Sequence, residues 1–234
     1  MTAGKRAVAD DHFADSDTET QRDHPTRSSQ FALATQNIAL AVFASGKGTN
    51  FRAICQAAVL EQLGVARPVI LICDRDCEAM TVAQEFGVPA VLIRPRDFPN
   101  AQAWEEAVIG ELQTHGVELI ALAGFMRLLG ARFLEAFSHR VLNIHPSLLP
   151  HYPGLNAITR AYCDGADSGV TIHWVDAGMD TGEVIAQQTV PINGASLRDY
   201  EAEIHRAEHA MYPRVVAQIA AKLLDERNAT KLST

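Results

Sequence analysis

The chain has 234 residues, of which 47% are hydrophobic and 21% charged, and carries a formal net charge of −8 at pH 7. A length of this order buries a real core, as one large domain or a tight pair of subdomains, and the composition is that of a soluble globular enzyme. The acidic balance argues against nucleic acid as the main partner, and no apolar run approaches the ~20 residues needed to cross a bilayer, so no membrane partner is expected.

Residues 1–36 are rich in Asp, Thr, Ser, Arg and Gln, with no sustained apolar period before Phe31-Ala32-Leu33. Such a stretch buries too little surface to offset its ordering entropy. A disordered or loosely attached extension is expected there, without a secretory signal core. The folded domain is expected over 37–226, followed by a short tail over 227–234.

From Asn37 onward, apolar strands alternate with amphipathic helices. Ile38–Ala44 reads as a buried strand, and Thr49–Leu63 as the helix after it. Pro68–Cys73 and Val88–Ile93 read as strands flanking a helix over Glu78–Phe86. A helix over Ala101–His115 is ended by Gly116, and Glu118–Ala123 is a fourth strand. Ala131–Phe137 is a short helix before the strand Val141-Leu142-Asn143-Ile144-His145. Beyond Gly154 the pattern changes: one helix, then more polar strands over Val170–Val175 and Glu183–Val190. A terminal helix over Leu197–Leu224 contains Pro213, where a kink is expected. Continuous apolar strands with helical crossovers indicate an α/β, Rossmann-like, mostly parallel sheet covered by helices on both faces. The later strands add a mixed C-terminal extension to that sheet.

The turn Ser45-Gly46-Lys47-Gly48-Thr49-Asn50 joins the first strand to the first helix. Its glycines allow close approach of a ligand, and the helix start offers unpaired amides to an anion; a mere tight turn reads equally well. Phe51 stands where a dinucleotide fingerprint needs its third glycine, although Asp74 would suit a ribose hydroxyl. Lys47 lies inside the loop and not at its end, which excludes a nucleoside-triphosphate P-loop. The four cysteines, Cys55, Cys73, Cys77 and Cys163, read as reduced cytoplasmic thiols. Cys73 and Cys77 have the spacing of half a metal site, but no second pair completes it, so packing roles and no metal are expected.

Asn143 and His145 are two residues apart in an extended strand that Pro146 ends, so both project the same way at its open end. An amide donor beside a titratable imidazole suits acyl transfer: one group faces the developing oxyanion, the other moves a proton. The segment Ser147-Leu148-Leu149-Pro150-His151-Tyr152-Pro153-Gly154 follows directly. Further on, Val175-Asp176-Ala177-Gly178-Met179-Asp180-Thr181-Gly182 taken alone reads as a hairpin turn.

The ordered set of glycine loop, Ala123-Gly124-Phe125-Met126-Arg127, Asn143-Ile144-His145-Pro146-Ser147-Leu148-Leu149-Pro150 and Gly178-Met179-Asp180-Thr181-Gly182 resembles the folate-dependent formyltransferases. The resemblance runs from residue 37 to about 225. It implies transfer of a formyl group from 10-formyltetrahydrofolate, as co-substrate, to the amine of glycinamide ribonucleotide in purine biosynthesis. It further implies Asn143 as oxyanion donor, His145 as a catalytic histidine held protonated, and Asp180 as the carboxylate paired with it. An adjacent carboxylate favours an imidazolium. Gly48, Thr49 and Asn50 match the loop that holds the ribonucleotide phosphate, and Glu208 matches an acceptor for the ribose hydroxyls, with His205 one helical turn earlier. Met126, Arg127, Leu128 and Leu129 match the segment that reads the folate pterin edge, next to Asn143. His173 matches a histidine near the site, although on an alternating strand it reads as structural. The resemblance admits a homodimer.

The chain departs from the family pattern in places. Ala101, beside Gln102, stands where many relatives have a basic residue near the folate glutamate tail, so the tail contact is unassigned. Asn156 and Ile158 replace a histidine pair found in some members. Two rivals share the chemistry: methionyl-tRNA formyltransferase, disfavoured by the acidic charge and the short C-terminus, and formyltetrahydrofolate deformylase, disfavoured by the short polar N-terminus. A non-catalytic folate- or nucleotide-binding module has no need of Asn143, His145 and Asp180 together.

Overall fold

The computed structural model describes residues 36–232; the expected N-terminal extension lies outside the described residues apart from its last position. Seven strands form one sheet in the order β3-β2-β1-β4-β5-β6-β7. β1 (Ile38–Ala44), β2 (Ala66–Cys73), β3 (Ala90–Leu92), β4 (Leu119–Leu122) and β5 (Val141–His145) pair in parallel. β6 (Ser168–Trp174) and β7 (Val184–Val190) then add as antiparallel strands. The fold is α/β, with the mostly parallel sheet and mixed extension that the strand composition implied. β7, at the edge, is mostly exposed or half-buried, which accounts for its polar residues.

The crossover helices are α1 (Thr49–Val59), α2 (Ala79–Phe86), α3 (Ala101–Thr114) and α4 (Ala131–Ala136), and β5 and β6 are joined through α5 (Ala157–Cys163). The continuous apolar run of β1 has a direct cause: Leu40 and Val42 enter a core with Phe51, Ile54, Tyr200 and Tyr212, while Ala41 and Phe43 enter another with Trp104, Val108 and Phe133. A strand covered on both faces gains about 1.5–3 kcal/mol for each large apolar side chain it buries. Phe43 meets Phe125 and Phe133 edge to face, with ring centroids 5.2 and 6.0 Å apart, which ties the loop after β4 to α4.

Two helix ends differ from expectation by more than a single residue. α1 stops at Val59, not Leu63, although no glycine marks the stop. Glu61 adopts φ 58, its N–H bonds to the Ala58 carbonyl, and the Gln62 N–H bonds to that of Ala57. That pair of bonds is a Schellman cap formed around a glutamate, and it turns Leu63 back into the core. The terminal helix α6 (Leu197–Leu232) is longer than expected and is assigned as helix straight through Pro213. Proline forfeits one backbone bond, but Tyr212, Pro213, Val215 and Val216 are all buried and hold the turn by packing. Beyond Leu224, Arg227 bonds Glu118 at 2.8 Å and the Asn37 carbonyl at 3.2 Å, so helix continues where a tail was expected.

The strand order sets the working edge of the sheet. β2 and β3 lie to one side of β1, and β4 and β5 to the other. The chain leaving β1 and the chain leaving β4 therefore diverge, and a crevice opens at their carboxyl ends. The turn after β1, Asp74 after β2, the segment after β4 and the end of β5 all meet this edge.

Candidate active site at the carboxyl ends of the strands

β5 presents Asn143 and His145 on one face, with His145 buried and Asn143 half-buried. The antiparallel register of β6 sets His173 directly opposite Asn143. The connection from β6 to β7 then carries Asp180 into the same cluster. In that connection Asp176 accepts from the Gly178 N–H at 3.0 Å and from the Thr181 hydroxyl at 2.7 Å. A Cβ at Gly182 would lie 1.7 Å from the Trp174 carbonyl oxygen, so only glycine lets the two strands close there. The Asp-Gly-rich segment is thus a turn, as its composition suggests, and the turn aims Asp180 inward with φ 55.

Each oxygen of Asp180 has its own partners. Oδ1 accepts from the Asn143 side-chain amide at 3.2 Å and lies 3.6 Å from His173 Nε2. Oδ2 accepts from the Gly154 N–H at 2.8 Å and lies 3.4 Å from His145 Nδ1. Burial pushes the Asp180 carboxyl up. The His173 hydrogen bond, the Gly154 N–H and the charges of His145 and His173 outweigh burial and hold it at about 2.

The histidine rings are oriented by carbonyls. His145 Nε2 is 2.9 Å from the Tyr152 carbonyl, and His173 Nδ1 is 2.8 Å from that of Trp174. A carbonyl only accepts, so those two ring nitrogens carry protons. Nε2 of His173 lies 3.1 Å from Asn143 Nδ2 and 3.6 Å from Asp180 Oδ1, so the ring stands between the amide and the carboxylate.

Two further groups carry residues singled out in the sequence. Gly48 precedes α1 with φ 70 and ψ 25 and makes no side-chain cap, so the first-turn amides remain available to a ligand. Thr49 is exposed; Asn50 is buried, and its side-chain oxygen has no hydrogen-bond partner among the described residues. On α6, His205 Nδ1 lies 2.7 Å from a carboxylate oxygen of the buried Glu208. That hydrogen bond raises the His205 pKa, while burial and the Lys47 charge act against it. The influence of Lys47 brings the glycine loop and this turn of α6 within electrostatic reach of each other.

In the segment after β4, Met126 and Leu128 are each 60% exposed, whereas Leu129 is buried in the core. Arg127 Nε donates to Asp74 at 2.8 Å, and its guanidinium lies 6.0 Å from the Trp104 ring. Asp74, which would suit a ribose hydroxyl in a dinucleotide fold, is a fully enclosed side chain occupied by Arg75 and Arg127. His173, read as structural, touches both Asn143 and Asp180. Its strand position was visible, but the register that pairs it with Asn143 was not. The Tyr152 carbonyl and the Gly154 N–H are backbone groups and leave no side-chain signal at all.

Comparison with known proteins adds a second line of argument. A family model described as formyl transferase matches residues 38–216. Phosphoribosylglycinamide formyltransferase of Bacillus subtilis (strain 168) is 43% identical over 182 residues, covering 76% of this chain and 93% of that protein. The protein of the same name from Mycobacterium tuberculosis (strain ATCC 25618 / H37Rv) is 39% identical over 183 residues, covering 77% and 84%. Among solved structures, glycinamide ribonucleotide transformylase 1 from Geobacillus kaustophilus superposes with a TM-score of 0.76 at 45% identity, over 79% of this chain and 99% of that one.

Proposed function

The chain belongs to the formyl transferase family, and from that premise we infer that it transfers the formyl group of 10-formyltetrahydrofolate to the amine of glycinamide ribonucleotide, a step of purine biosynthesis. The observation that carries this reading is the Asn143–His145–Asp180 cluster, in a chain 43% identical to a phosphoribosylglycinamide formyltransferase.

In the reaction the amine lone pair attacks the formyl carbon, and the carbonyl oxygen becomes an oxyanion. The bond from that carbon to the folate nitrogen then breaks, the nitrogen takes up a proton, and the amine gives one up. Asn143 is assigned to the oxyanion. Its amide nitrogen donates to Asp180 in the resting site and turns a proton toward the oxyanion as charge develops. His145 is assigned to the proton and charge transfer. Asp180, ionised down to a pH of about 2, keeps a negative charge beside the imidazole throughout the working range.

The acceptor substrate is assigned to the amides and side chains of Gly48, Thr49 and Asn50 for its phosphate and to Glu208, with His205, for its ribose. The uncapped start of α1, which leaves first-turn amides to donate to an anion, supports the phosphate assignment. The folate is assigned to residues 126–129; the exposure of Met126 and Leu128 supports contact for those two, and Leu129 acts from the core. A reducing, cytoplasmic setting is supported by four free cysteines. Among the described residues no helix is long and apolar enough to cross a membrane. A homodimer is proposed on family resemblance alone, and sedimentation velocity tests it.

The deciding assay mixes purified protein with glycinamide ribonucleotide and 10-formyltetrahydrofolate. Tetrahydrofolate is expected to appear in step with formylated amine, and only when the amine is present. Equal release without the amine would reassign the chain to deformylation, and no release would overturn the reading.

A further inference from the structure

Asp74 directly follows β2 and has no part in the reaction above, yet its side chain has no exposure to solvent. Three guanidinium N–H groups converge on it, from Arg75 through Nε at 3.2 Å and Nη2 at 3.1 Å and from Arg127 through Nε at 2.8 Å, and the nearby Ser45 hydroxyl helps the arginines hold its pKa down against burial. Ser45 in turn accepts from the Met126 N–H at 3.3 Å. A single buried carboxylate therefore holds Arg127 directly and lies beside the hydroxyl that accepts from the Met126 backbone. At the far end of the same segment the Gly130 N–H donates to the buried Glu105 at 2.6 Å. Residues 126–130 are thus held between two carboxylates, one just after β2 and one from α3.

We propose that Asp74 is a positioning residue for the formyl donor, orienting Arg127 and, through Ser45, the Met126 amide, so that the donor meets a segment already in shape. The proposal rests on the assignment of residues 126–129 to the folate. The physical argument starts from the lone pairs. A carboxylate offers about four acceptor sites and no donor, which matches the N–H groups of two guanidiniums. Asparagine has the same shape but presents an NH2 to one of those guanidiniums, so it must release it. An arginine freed in this way regains its rotamers, and the donor must then order it on binding. That ordering cost falls on donor affinity and not on the chemical step. Ser45 also sits at the start of the glycine loop, but its contact to Asp74 orders the side of the crevice facing Met126, so the phosphate site is expected to change little.

Wild type, Asp74→Asn and Ser45→Ala are compared in steady-state kinetics and thermal unfolding. For Asp74→Asn the KM for 10-formyltetrahydrofolate is expected to rise about tenfold, with kcat and the KM for glycinamide ribonucleotide within about twofold of wild type. Ser45→Ala is expected to move the same KM in the same direction by less. An unchanged donor KM overturns the proposal, as does an equal rise in both KM values, which is what general loosening produces. If Asp74→Asn does not fold, an unchanged donor KM in Ser45→Ala overturns it. Calorimetric titration of 10-formyltetrahydrofolate without acceptor separates this proposal from the assigned reaction. A wild type that binds the folate without transferring its formyl group sinks the reaction only; weaker folate binding by Asp74→Asn still supports the positioning role, and equal binding still overturns it. No folate binding by wild type removes the premise and the proposal together.

Discussion

Asp180 Oδ2 lies 3.4 Å from His145 Nδ1, although one residue sits in the β6–β7 turn and the other ends β5. Both side chains are nearly enclosed, with 13% and 7% exposure, so the pair is shielded from the screening that makes surface ion pairs weak. Breaking it has consequences for both stability and rate.

Asp180→Asn is expected to flatten the acid limb of stability. The folded carboxyl, at about 2, is depressed below the ordinary carboxylate range. Its contribution is therefore fully present above pH ~4 and is lost as pH falls toward about 2. The size is on the order of 2 kcal/mol. Urea titrations of wild type and variant across that window should converge at low pH, and parallel curves would show that Asp180 gains nothing from its partners.

Replacing His145 with Asn tests the proton-transfer role. A drop in kcat of roughly 10²–10⁴ is expected, with the donor KM little changed, because the ring is assigned to the transition state and not to folate binding. Single-turnover rates measure the chemical step directly. A variant as fast as wild type would remove His145 from the mechanism.

Gly48→Ala combines two faults. The position has φ 70, and a Cβ there would lie 2.7 Å from both Cα and Cβ of Ala79, where the start of α2 meets the glycine loop. Neither neighbour is the end of a flexible side chain, so backbone must move. A loss of about 2–4 kcal/mol is expected in chemical denaturation, with a raised KM for the ribonucleotide because the α1 amides shift with the loop. A variant as stable as wild type would contradict this close approach.

Tyr212→Phe probes how α6 supports the site from below. The buried hydroxyl lies 2.9 Å from the Leu122 carbonyl and 3.2 Å from that of Leu142, at the ends of β4 and within β5. Removing it strands at least one buried acceptor, at a cost of about 1–3 kcal/mol. Equilibrium unfolding measures the loss, and a change below a few tenths would mean that those carbonyls are satisfied elsewhere.

What could be read directly from the chain was whatever local periodicity encodes. β1 and β5 have the bounds that their apolar runs suggest, since a strand covered on both faces must be apolar throughout. The parallel sheet followed from strands separated by helical spacings. The β6–β7 turn was legible from its Asp and Gly residues. Even Asn143 and His145 could be paired beforehand, because a period of two in one strand places them together.

The rest depended on contacts between segments far apart in sequence. The stop of α1 at a glutamate and the run of α6 past Pro213 are outcomes of burial and of Arg227 reaching Glu118, which override local propensity. Only the packed chain sets Asp180 against His145, puts His173 opposite Asn143, and encloses Asp74 as an anchor for Arg127. Sequence determined the elements and the chemical groups each one carries. Tertiary structure decided which groups touch, because register and crossover order are settled by burying both faces of the sheet at once and not by any single segment.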